Sequence, residues 1–366
     1  MRHIGRRRAA GVVLVGIVAA AGLAPAAGAA PAPMAKPKVT LVDTGAFPTR
    51  PAINPVTNKI YVANWGTDTL SVIDGRTNKV TTIATSRVPT IALVNPRTNR
   101  VFVVTKVGLD VIDGDTNEII RTVPKITGRL AAINVASNKV YVTAARGMVV
   151  HQYDPARNDT ENFPVGRSPS AIAINERTNR IYITNAGSDS VTVIDGDTRE
   201  TSTIKTADHP VAVAVNQVTD KVYVANLGKR SDRTPVGRTL TVIDGRTETA
   251  KPVYVDVAPV AVAVDSSRNR VYVLSQSTYA LTVVDTSRDK VIGSVTAVGI
   301  GGIGIDEQAN RIYIGSAPMV AVVDGSTLAK VRVDAGGRMS SAAVVNPSTG
   351  KVYVNNPASS NVAVFG

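Results

Sequence analysis

Residues 222–226 read Val222-Tyr223-Val224-Ala225-Asn226, and this β-branched and aromatic stretch returns along the chain. Its apolar–aromatic–apolar triplet occurs eight times, at residues 60–62, 101–103, 140–142, 181–183, 222–224, 271–273, 312–314 and 352–354. Successive aromatic residues are 41, 39, 41, 41, 49, 41 and 40 positions apart, and seven of the ten Tyr occupy this position. A period near 41 residues is typical of propeller blades and of helical arrays.

The composition of each repeat decides between these two architectures. Each unit has an apolar segment such as residues 171–174, a polar turn, the aromatic segment, a third segment such as residues 70–74, and a fourth such as residues 80–83. These are short β-branched runs separated by Asn, Asp, Gly and Pro, and no segment sustains an apolar period of 3.6. The sequence therefore predicts an all-β protein, a single β-propeller of four-stranded antiparallel blades.

The recurring segments resemble those of the YVTN-repeat propeller family. The resemblance rests on Ile60-Tyr-Val-Ala-Asn64, Ile181-Tyr-Ile-Thr-Asn185, Val222-Tyr-Val-Ala-Asn226 and Val352-Tyr-Val-Asn355, and on the Val-Ile-Asp-Gly that follows several of them. It covers residues 38–366. It implies a secreted or surface-exposed bacterial or archaeal propeller, and it implies no single activity.

The blades can be counted from the first strands, which begin near residues 52, 91, 131, 171, 211, 260, 302 and 342. The eighth unit stops after its third strand, residues 362–365, and a candidate fourth strand precedes the first unit at residues 38–42. Pairing of the two would close the ring and remove free sheet edges. We therefore predict eight blades closed by the N-terminal strand, with seven, common in the family, as the alternative.

Residues 1–29 have the pattern of a signal peptide. Arg2 and Arg6–Arg8 precede an apolar run over residues 9–24, and Ala27-Gly28-Ala29 fits a cleavage motif. A retained membrane anchor is the alternative, although the run is shorter than the roughly 20 apolar residues of a spanning helix. The expected organisation is a signal peptide (1–29), a short linker (30–37) and the propeller (38–366), with the Sec and twin-arginine routes both open.

Composition limits the chemistry of the mature chain. The 366 residues include 41 Lys and Arg, 28 Asp and Glu and no Cys, for a net charge of +13. Loss of four arginines with the signal peptide leaves 13 − 4 = +9. The absence of Cys excludes disulfides, Cys-ligated metals and a lipid-anchored N-terminal Cys.

Candidate binding residues lie where the repeats differ, in loops expected to share one face near the central channel. Arg87, Arg167 and Arg338 each lie eight residues before the Asn that ends a first strand. A basic ring of this kind would attract carboxylates, sulfates or phosphates. The alternative is that each Arg pairs with a backbone carbonyl or an Asp. The full set of predicted ligand-binding residues is Arg50, Trp65, Arg87, Arg129, Arg167, His209, Arg230, Arg233, Tyr279 and Arg338.

Two of these candidates are aromatic and two lie in an insertion. Trp65 and Tyr279 are expected in loops between second and third strands, where an exposed ring can stack on sugars or bases. Trp65 capping the end of its blade is the alternative. The fifth unit is eight residues longer than its neighbours, and the extra residues fall within positions 227–239, a basic stretch.

Residues for catalysis are few. Of the three His only His209 lies in the predicted loop face, the six Glu lie elsewhere, and the recurrent Asp before Gly reads as a turn former. The sequence predicts no catalytic residues, no metal site and no cofactor, and it leaves an enzymatic role open while favouring its absence. The favoured function is a secreted or cell-wall-associated, monomeric, non-catalytic module that binds an anionic polymer or a cell-wall glycan.

The alternatives are a lyase- or lactonase-type enzyme led by His209, and a scaffold for a protein partner. Nucleic acid is not the expected partner, because the bases lack interleaved aromatic residues. No transmembrane segment is expected after signal cleavage.

Overall fold

The computed structural model describes residues 34–144, 147–231, 234–296, 298–316 and 318–366, with the backbone alone for residues 230, 231, 234 and 235. The signal peptide predicted at residues 1–29 therefore lies outside the described residues. Within them there is no α-helix, and one 3₁₀ turn spans Pro357–Ser359. No helix in this part of the chain is both long and apolar enough to cross a membrane.

The first four blades follow one another along the chain, each with its inner strand first and its outer strand last. Strand β1 (Val39–Asp43) precedes them. Blade 1 contains β2 (Ala52–Asn54), β3 (Lys59–Asn64), β4 (Thr69–Asp74) and β5 (Val80–Ala84). Blade 2 contains β6 (Ile91–Asn95), β7 (Arg100–Val104), β8 (Gly108–Asp113) and β9 (Ile119–Pro124). Blade 3 contains β10 (Gly128–Asn134), β11 (Lys139–Ala144), β12 (Val149–Asp154) and β13 (Asp159–Pro164). Blade 4 contains β14 (Pro169–Asn175), β15 (Arg180–Asn185), β16 (Ser190–Asp195) and β17 (Thr201–Lys205).

The remaining blades keep the same order, apart from an inserted hairpin and the closing strand. Blade 5 contains β18 (Pro210–Asn216), β19 (Lys221–Asn226), the hairpin β20 (Arg230–Ser231) and β21 (Thr234–Pro235), β22 (Thr239–Asp244) and β23 (Ala250–Tyr254). Blade 6 contains β24 (Pro259–Asp265), β25 (Arg270–Ser275), β26 (Ala280–Asp285) and β27 (Lys290–Val295). Blade 7 contains β28 (Ile303–Asp306), β29 (Arg311–Ser316), β30 (Met319–Asp324) and β31 (Lys330–Asp334). Blade 8 contains β32 (Ala343–Val345), β33 (Val352–Asn356), β34 (Asn361–Phe365) and β1.

Eight four-stranded blades confirm the predicted count, and the seven-bladed alternative is wrong. The predicted closure is confirmed too, because β1 pairs antiparallel with β34 from Val39↔Phe365 to Asp43↔Asn361. The N–H of Gly366 also donates to the carbonyl of Lys38 at 3.2 Å. The two ends of the propeller chain therefore lie side by side in one sheet.

The core is divided among the eight interfaces between neighbouring blades. Tyr61 of blade 1 is buried against Val101 and Val103 of blade 2, and Tyr353 of blade 8 is buried against Ile60 and Val62 of blade 1. The recurring aromatic residue thus fills the gap to the next blade, and the flanking Ile or Val fills the gap to the preceding one. This explains why the triplet recurs once per blade.

The connections define two faces of the propeller. We call the side with the inner-to-second and third-to-outer turns the turn face, and the opposite side the loop face. On the turn face the Gly75 N–H donates to the Asn58 carbonyl at 2.8 Å, which joins the two turns of blade 1. On the loop face the Lys106 N–H donates to the Arg87 carbonyl at 2.9 Å, which joins the loop entering blade 2 to that blade's second-to-third loop. The loop face is therefore the face on which the sequence placed its candidate residues.

Candidate ligand-binding site

The arginines predicted at equivalent positions have equivalent backbones. The Arg167 carbonyl accepts from the Gly187 N–H at 3.0 Å, as the Arg87 carbonyl does from Lys106. The N–H of Arg167 donates to Ser188 Oγ at 2.8 Å, and the N–H of Arg338 donates to Ser359 Oγ at 3.1 Å. The loops are thus held by their main chains, which leaves the guanidinium groups available for other contacts.

The side chains of the predicted arginines are exposed and make no hydrogen bond or ion pair with any described residue; these are Arg50, Arg87, Arg129, Arg167 and Arg338. A different set of bases has structural partners. Lys59 Nζ donates to the Gly114 carbonyl of the next blade at 2.6 Å, and Lys351 Nζ donates to that of Gly75 at 2.7 Å. The two sets occupy opposite faces.

The central channel forms a cavity of about 830 Å³ that runs the depth of the propeller. Thr49 and Arg129 line it at the loop-face end, and Pro55 and Pro347 line it at the turn-face end. Most of its wall is Ala, Val, Ile and Leu from the inner strands, and its described lining contains no Asp or Glu. Arg50 and Arg129, both near loop-face ends of inner strands, are the cationic residues of that described lining.

Arg50 lies in an unusual environment for a cation. Its side chain remains accessible to solvent in the channel, yet protein surrounds it on most sides. The resulting desolvation lowers the pKa of its guanidinium. A desolvated cation without a carboxylate partner favours an anion from outside the chain.

A second cavity of about 370 Å³ adjoins the first, because Arg129 lines both. Arg167, Ser168, Met148 and Thr143 also line it, and none of its described lining residues is a carboxylate. The structure thus brings together Arg50, Arg129 and Arg167 around the mouth of the channel. Arg87, His209 and Arg338 are not among the lining residues of either cavity.

An exposed aromatic pair stands on the loop face beside blade 1. Trp65 stacks on Phe47 with ring centroids 4.6 Å apart and an interplanar angle of 27°, and the residues are 47% and 44% exposed. A Cβ on Gly66 would lie 2.6 Å from a ring carbon of Phe47, so glycine is needed for this approach. The sequence pattern did not identify Phe47. The feature that could have identified it is its position three residues before Arg50 in the same loop.

Tyr279 lines a separate cavity of about 360 Å³ between blades 6 and 7. It is 52% exposed, and Thr278, Thr296, Ser316 and Arg332 share the lining. The lining of this cavity has no residue in common with those at the channel mouth. Tyr279 therefore lies apart from the three arginines.

The insertion in blade 5 forms the small hairpin β20–β21, with Arg230 paired to Pro235. The side chain of Arg230 and the whole of Arg233, both predicted ligand contacts, lie outside the described residues. Lys229 at the base of the hairpin forms an exposed ion pair with Asp208, with Nζ 3.2 Å from Oδ1. The described side chains of residues 227–239 therefore include two bases, the partnered Lys229 and the exposed Arg238.

His209 occupies a turn that recurs from blade to blade. Its φ of +57° matches Val88 (+53°), Ser168 (+54°) and Ala258 (+61°) at the same place in their loops. Its N–H donates to Asp189 Oδ1 at 2.8 Å, as the Val88 N–H does to Asp68. Among the described residues no three His, Asp or Glu side chains are grouped as metal ligands.

The recurrent Asp residues are turn formers, as the sequence predicted. Asp74 Oδ1 accepts from the N–H groups of Arg76 and Thr77, each at 2.9 Å. The Thr77 hydrogen bond is the largest of the causes that lower the Asp74 pKa. The following Gly is required because a Cβ on Gly75 would lie 2.3 Å from Asn58 Oδ1.

A basic residue that the sequence pattern did not single out stands at the start of the second strand of every blade, as its first residue or, in blade 8, immediately before it. The eight are Lys59, Arg100, Lys139, Arg180, Lys221, Arg270, Arg311 and Lys351. Five donate to a backbone carbonyl of the next blade: Lys59, Arg180, Lys221, Arg270 and Lys351. Their signal was visible in the sequence as the basic residue two positions before each aromatic. Part of the chain's positive charge is therefore structural and lies on the turn face.

Comparison with known protein families found no match, and comparison with curated proteins found none. Solved structures share the fold. One is described as the dihydro-heme d1 dehydrogenase NirN in complex with DHE, with a TM-score of 0.65, 11% identity, and coverage of 85% of this chain and 76% of that one. Hydrazine synthase of Kuenenia stuttgartiensis has a TM-score of 0.57, 17% identity, and coverage of 88% and 95%.

A functionally unknown protein of Desulfotomaculum acetoxidans DSM 771 has a TM-score of 0.59, 12% identity, and coverage of 82% of this chain and 99% of that one. At these identities the similarity establishes an eight-bladed β-propeller and no activity. Membership of the YVTN-repeat family stays a prediction from the sequence.

Proposed function

We propose that this propeller binds an anionic ligand at the loop-face mouth of its channel, with Arg50, Arg129 and Arg167 as the cationic contacts. The observation that carries the proposal is the position of Arg129, which lines both cavities at once. It links Arg50 on one side to Arg167 on the other. A guanidinium group can bind carboxylate, sulfate or phosphate through two parallel hydrogen bonds.

The electrostatics of the mouth support an anion. No described residue that lines either cavity is an Asp or a Glu, and the guanidinium groups of these three arginines have no partner in the described part of the chain. Concave sites with low-dielectric walls focus the field of charges of one sign and raise the local concentration of counter-charged ligand. An anion at the mouth would therefore meet an attractive field without competition from a described carboxylate.

The decisive experiment compares two triple variants of equal charge. Arg50, Arg129 and Arg167 are changed to Ala in the first, and the exposed turn-face arginines Arg76, Arg97 and Arg246 are changed to Ala in the second. Binding of dextran sulfate and of polygalacturonate is measured by calorimetry, with neutral dextran as the blank. We expect the first variant to lose at least tenfold in affinity and the second to change by less than threefold. Equal losses would show that net charge alone drives binding and would refute the site.

A stacking site for a glycan is a second candidate, favoured by the Phe47–Trp65 pair. Two rings stacked on each other present a broad apolar surface to solvent, and sugar faces stack on such surfaces. A neutral cell-wall oligosaccharide should change the fluorescence of Trp65, the single Trp of the chain, and Trp65→Ala should abolish the heat of binding measured by calorimetry. An unaltered affinity of Trp65→Ala, measured by calorimetry, would remove this candidate.

Export through the leader at residues 1–29, with the propeller acting outside the cell or at its wall, is part of the same proposal. N-terminal sequencing of protein recovered from the culture medium tests it. A mature chain that begins near residue 30 is expected. A full-length chain retained with the cells would contradict it.

A further inference from the structure

The described lining of the channel differs from one side to the other. Arg and Leu line it only on the side of blades 1 to 3, where Arg50, Leu93, Arg129 and Leu130 accompany smaller residues such as Ala52, Ala92 and Ala131. On the side of blades 4 to 8 the lining alternates between β-branched residues and the small residues Ala171, Ala212, Ala261, Ala263, Gly302 and Ala342. The free space of about 830 Å³ therefore borders a row of small residues that begins in blade 4 and ends in blade 8.

Strand formation does not explain these alanines, because Ala and Gly are poor strand formers. A close contact explains Gly302, since a Cβ there would lie 3.3 Å from the Cα of Ala342. The inner strand of blade 4 is only partly buried over residues 169–174, whereas its neighbour β15 is buried from Ile181 onward. Short side chains on the inner strands thus leave an accessible apolar space instead of a filled core.

The size and character of this space match a small-molecule site. Such sites usually measure roughly 300–1,000 Å³ and combine an apolar lining with a few well-placed polar groups. Here the described lining is apolar along most of the channel, and Arg50 and Arg129 both line its loop-face end. An acidic polymer carries a charge on every unit, so it would lose hydration along the apolar part without gaining a partner.

We propose that the channel binds a small amphipathic carboxylate, with the carboxylate on Arg50 and Arg129 and the apolar body along the wall formed by Ala171, Ala212 and Ala261. This inference rests on the proposed anion site and adds the class of ligand. Each methylene that enters the channel contributes about 0.8 kcal/mol, which is about fourfold in affinity. A ligand of this class gains binding free energy both from the arginines and from the apolar wall, whereas a purely polar anion gains it from the arginines alone.

The test is a calorimetric series of straight-chain carboxylates from butanoate to decanoate, all below their micellar concentrations, with 1-octanol as the uncharged counterpart of octanoate. We expect the dissociation constant to fall about fourfold per added methylene until the cavity is full. Octanol should bind at least tenfold more weakly than octanoate. Arg50→Gln should remove that preference for the carboxylate, and Arg76→Ala should preserve it.

A second variant separates the apolar wall from the charged mouth. Ala212→Leu fills the space beside the wall and should weaken decanoate binding at least tenfold while leaving dextran sulfate binding unchanged. Circular dichroism and the melting temperature establish that the variant is folded. If it fails to fold, Ala261→Val provides the smaller change in volume.

The outcomes distinguish the two proposals. Affinity that does not depend on chain length, together with dextran sulfate binding that requires Arg50, Arg129 and Arg167, overturns the amphipathic ligand and leaves the anion site standing. Chain-length dependence that is equal for octanol and octanoate overturns the carboxylate contact. No binding of any carboxylate and no effect of the three arginines on polymer binding overturns both.

Discussion

Lysines and arginines of this chain divide into two groups that differ in what they touch. Five of the eight at the start of the second strands donate to carbonyls of the next blade on the turn face, as Lys59 does to Gly114 at 2.6 Å. Those at the channel mouth, Arg50 and Arg129, have no described partner and line a cavity whose described lining has no Asp or Glu. A net charge of +13 therefore overstates the charge available to a ligand, and position in the repeat decides the role of each base.

At the recurring aromatic position, Tyr61→Phe should leave stability almost unchanged, within about 0.5 kcal/mol. The Tyr61 hydroxyl is buried without a hydrogen-bond partner among the described residues, and blade 2 already has Phe102 at this place. Burial, together with Asp115 and Asp113, raises the pKa of Tyr61 to about 12, so the ring is neutral in ordinary buffers. Tyr61→Ala should cost about 3–5 kcal/mol by opening the interface with blade 2.

Urea denaturation of the wild type, Tyr61→Phe and Tyr61→Ala measures the change in the free energy of unfolding. A loss above about 1.5 kcal/mol in Tyr61→Phe would show that the hydroxyl has a stabilising partner.

The turn aspartates predict how stability depends on pH. Backbone and side-chain hydrogen bonds lower the pKa of Asp74, Asp195, Asp244 and Asp324 in the folded protein. An Asp with a lowered pKa stabilises the folded protein at pH values above its unfolded pKa of about 3.9. That contribution is lost as the pH falls through the pKa of the folded state. The melting temperature should therefore be flat near neutrality and fall below about pH 4.

Calorimetry across pH 2–7 tests this expectation with Asp74→Asn and Asp244→Asn combined. Their amides still accept the turn hydrogen bonds but do not titrate in this range. The variant should lose less stability on acidification than the wild type does. Identical acid profiles would show that these turns do not contribute to the pH dependence.

Among the elements, the strands were predictable and the insertion was predictable only in part. The closing strand was expected over residues 38–42 and spans Val39–Asp43, because local alternation and turn residues mark strands well. The extra residues in blade 5 read as a basic surface loop, and their described backbone forms a two-stranded hairpin. Pairing between such short segments depends on their geometry at the edge of the blade, which residue type alone does not encode.

An amide hydrogen bond joins neighbouring blades on the turn face at five of the eight interfaces. Asn54 Nδ2 donates to Asn99 Oδ1 at 2.8 Å between blades 1 and 2, and Asn346 Nδ2 donates to Asn58 Oδ1 at 2.8 Å between blades 8 and 1. Asn346 is fully buried, and its Oδ1 also accepts from the Ser348 N–H. Asn346→Ala should therefore destabilise the protein by about 1–3 kcal/mol, since it leaves buried groups unpaired.

The comparison is with Ser348→Ala, which removes a more peripheral hydroxyl from the same turn. Chemical denaturation should give a clearly lower free energy of unfolding for Asn346→Ala than for Ser348→Ala. Equal stabilities would mean that the amide bond between blades contributes nothing measurable.

For the whole molecule, the repeat period was enough to predict the ring, the blade number and the closure. The candidate site was only partly predictable. Register along the loops correctly identified Arg87 and Arg167 as equivalent, but the channel mouth is formed by Arg50 and Arg129 with Arg167. Arg50 and Arg129 lie out of that register, because Arg50 is two residues before β2 and Arg129 is the second residue of β10. The loops that converge on the channel axis are determined by strand tilt and blade packing. The sequence of a single repeat does not predict either of them.

Deletion of residues 361–366 should prevent stable folding of the whole propeller. It removes β34, which lies between β33 and β1 in blade 8, and with it Val362 and Val364 of the interface with blade 1. Two strand edges would then be open to solvent and to other chains. Size-exclusion chromatography should show aggregation, and circular dichroism should show a lower or lost melting transition. A monomeric variant with the wild-type melting temperature would refute the closing role of β34.

Lys38 and Gly366 lie side by side, so the fold does not require the chain to begin and end in blade 8. A short glycine linker could join residue 366 to residue 38, and new ends could be opened in the exposed turn between Arg246 and Thr247. Blade 5 would then be the one assembled from both ends of the polypeptide, and blade 8 would become continuous. Such a circular permutant should keep the fold, because eight near-equivalent blades provide eight equivalent places to begin the chain.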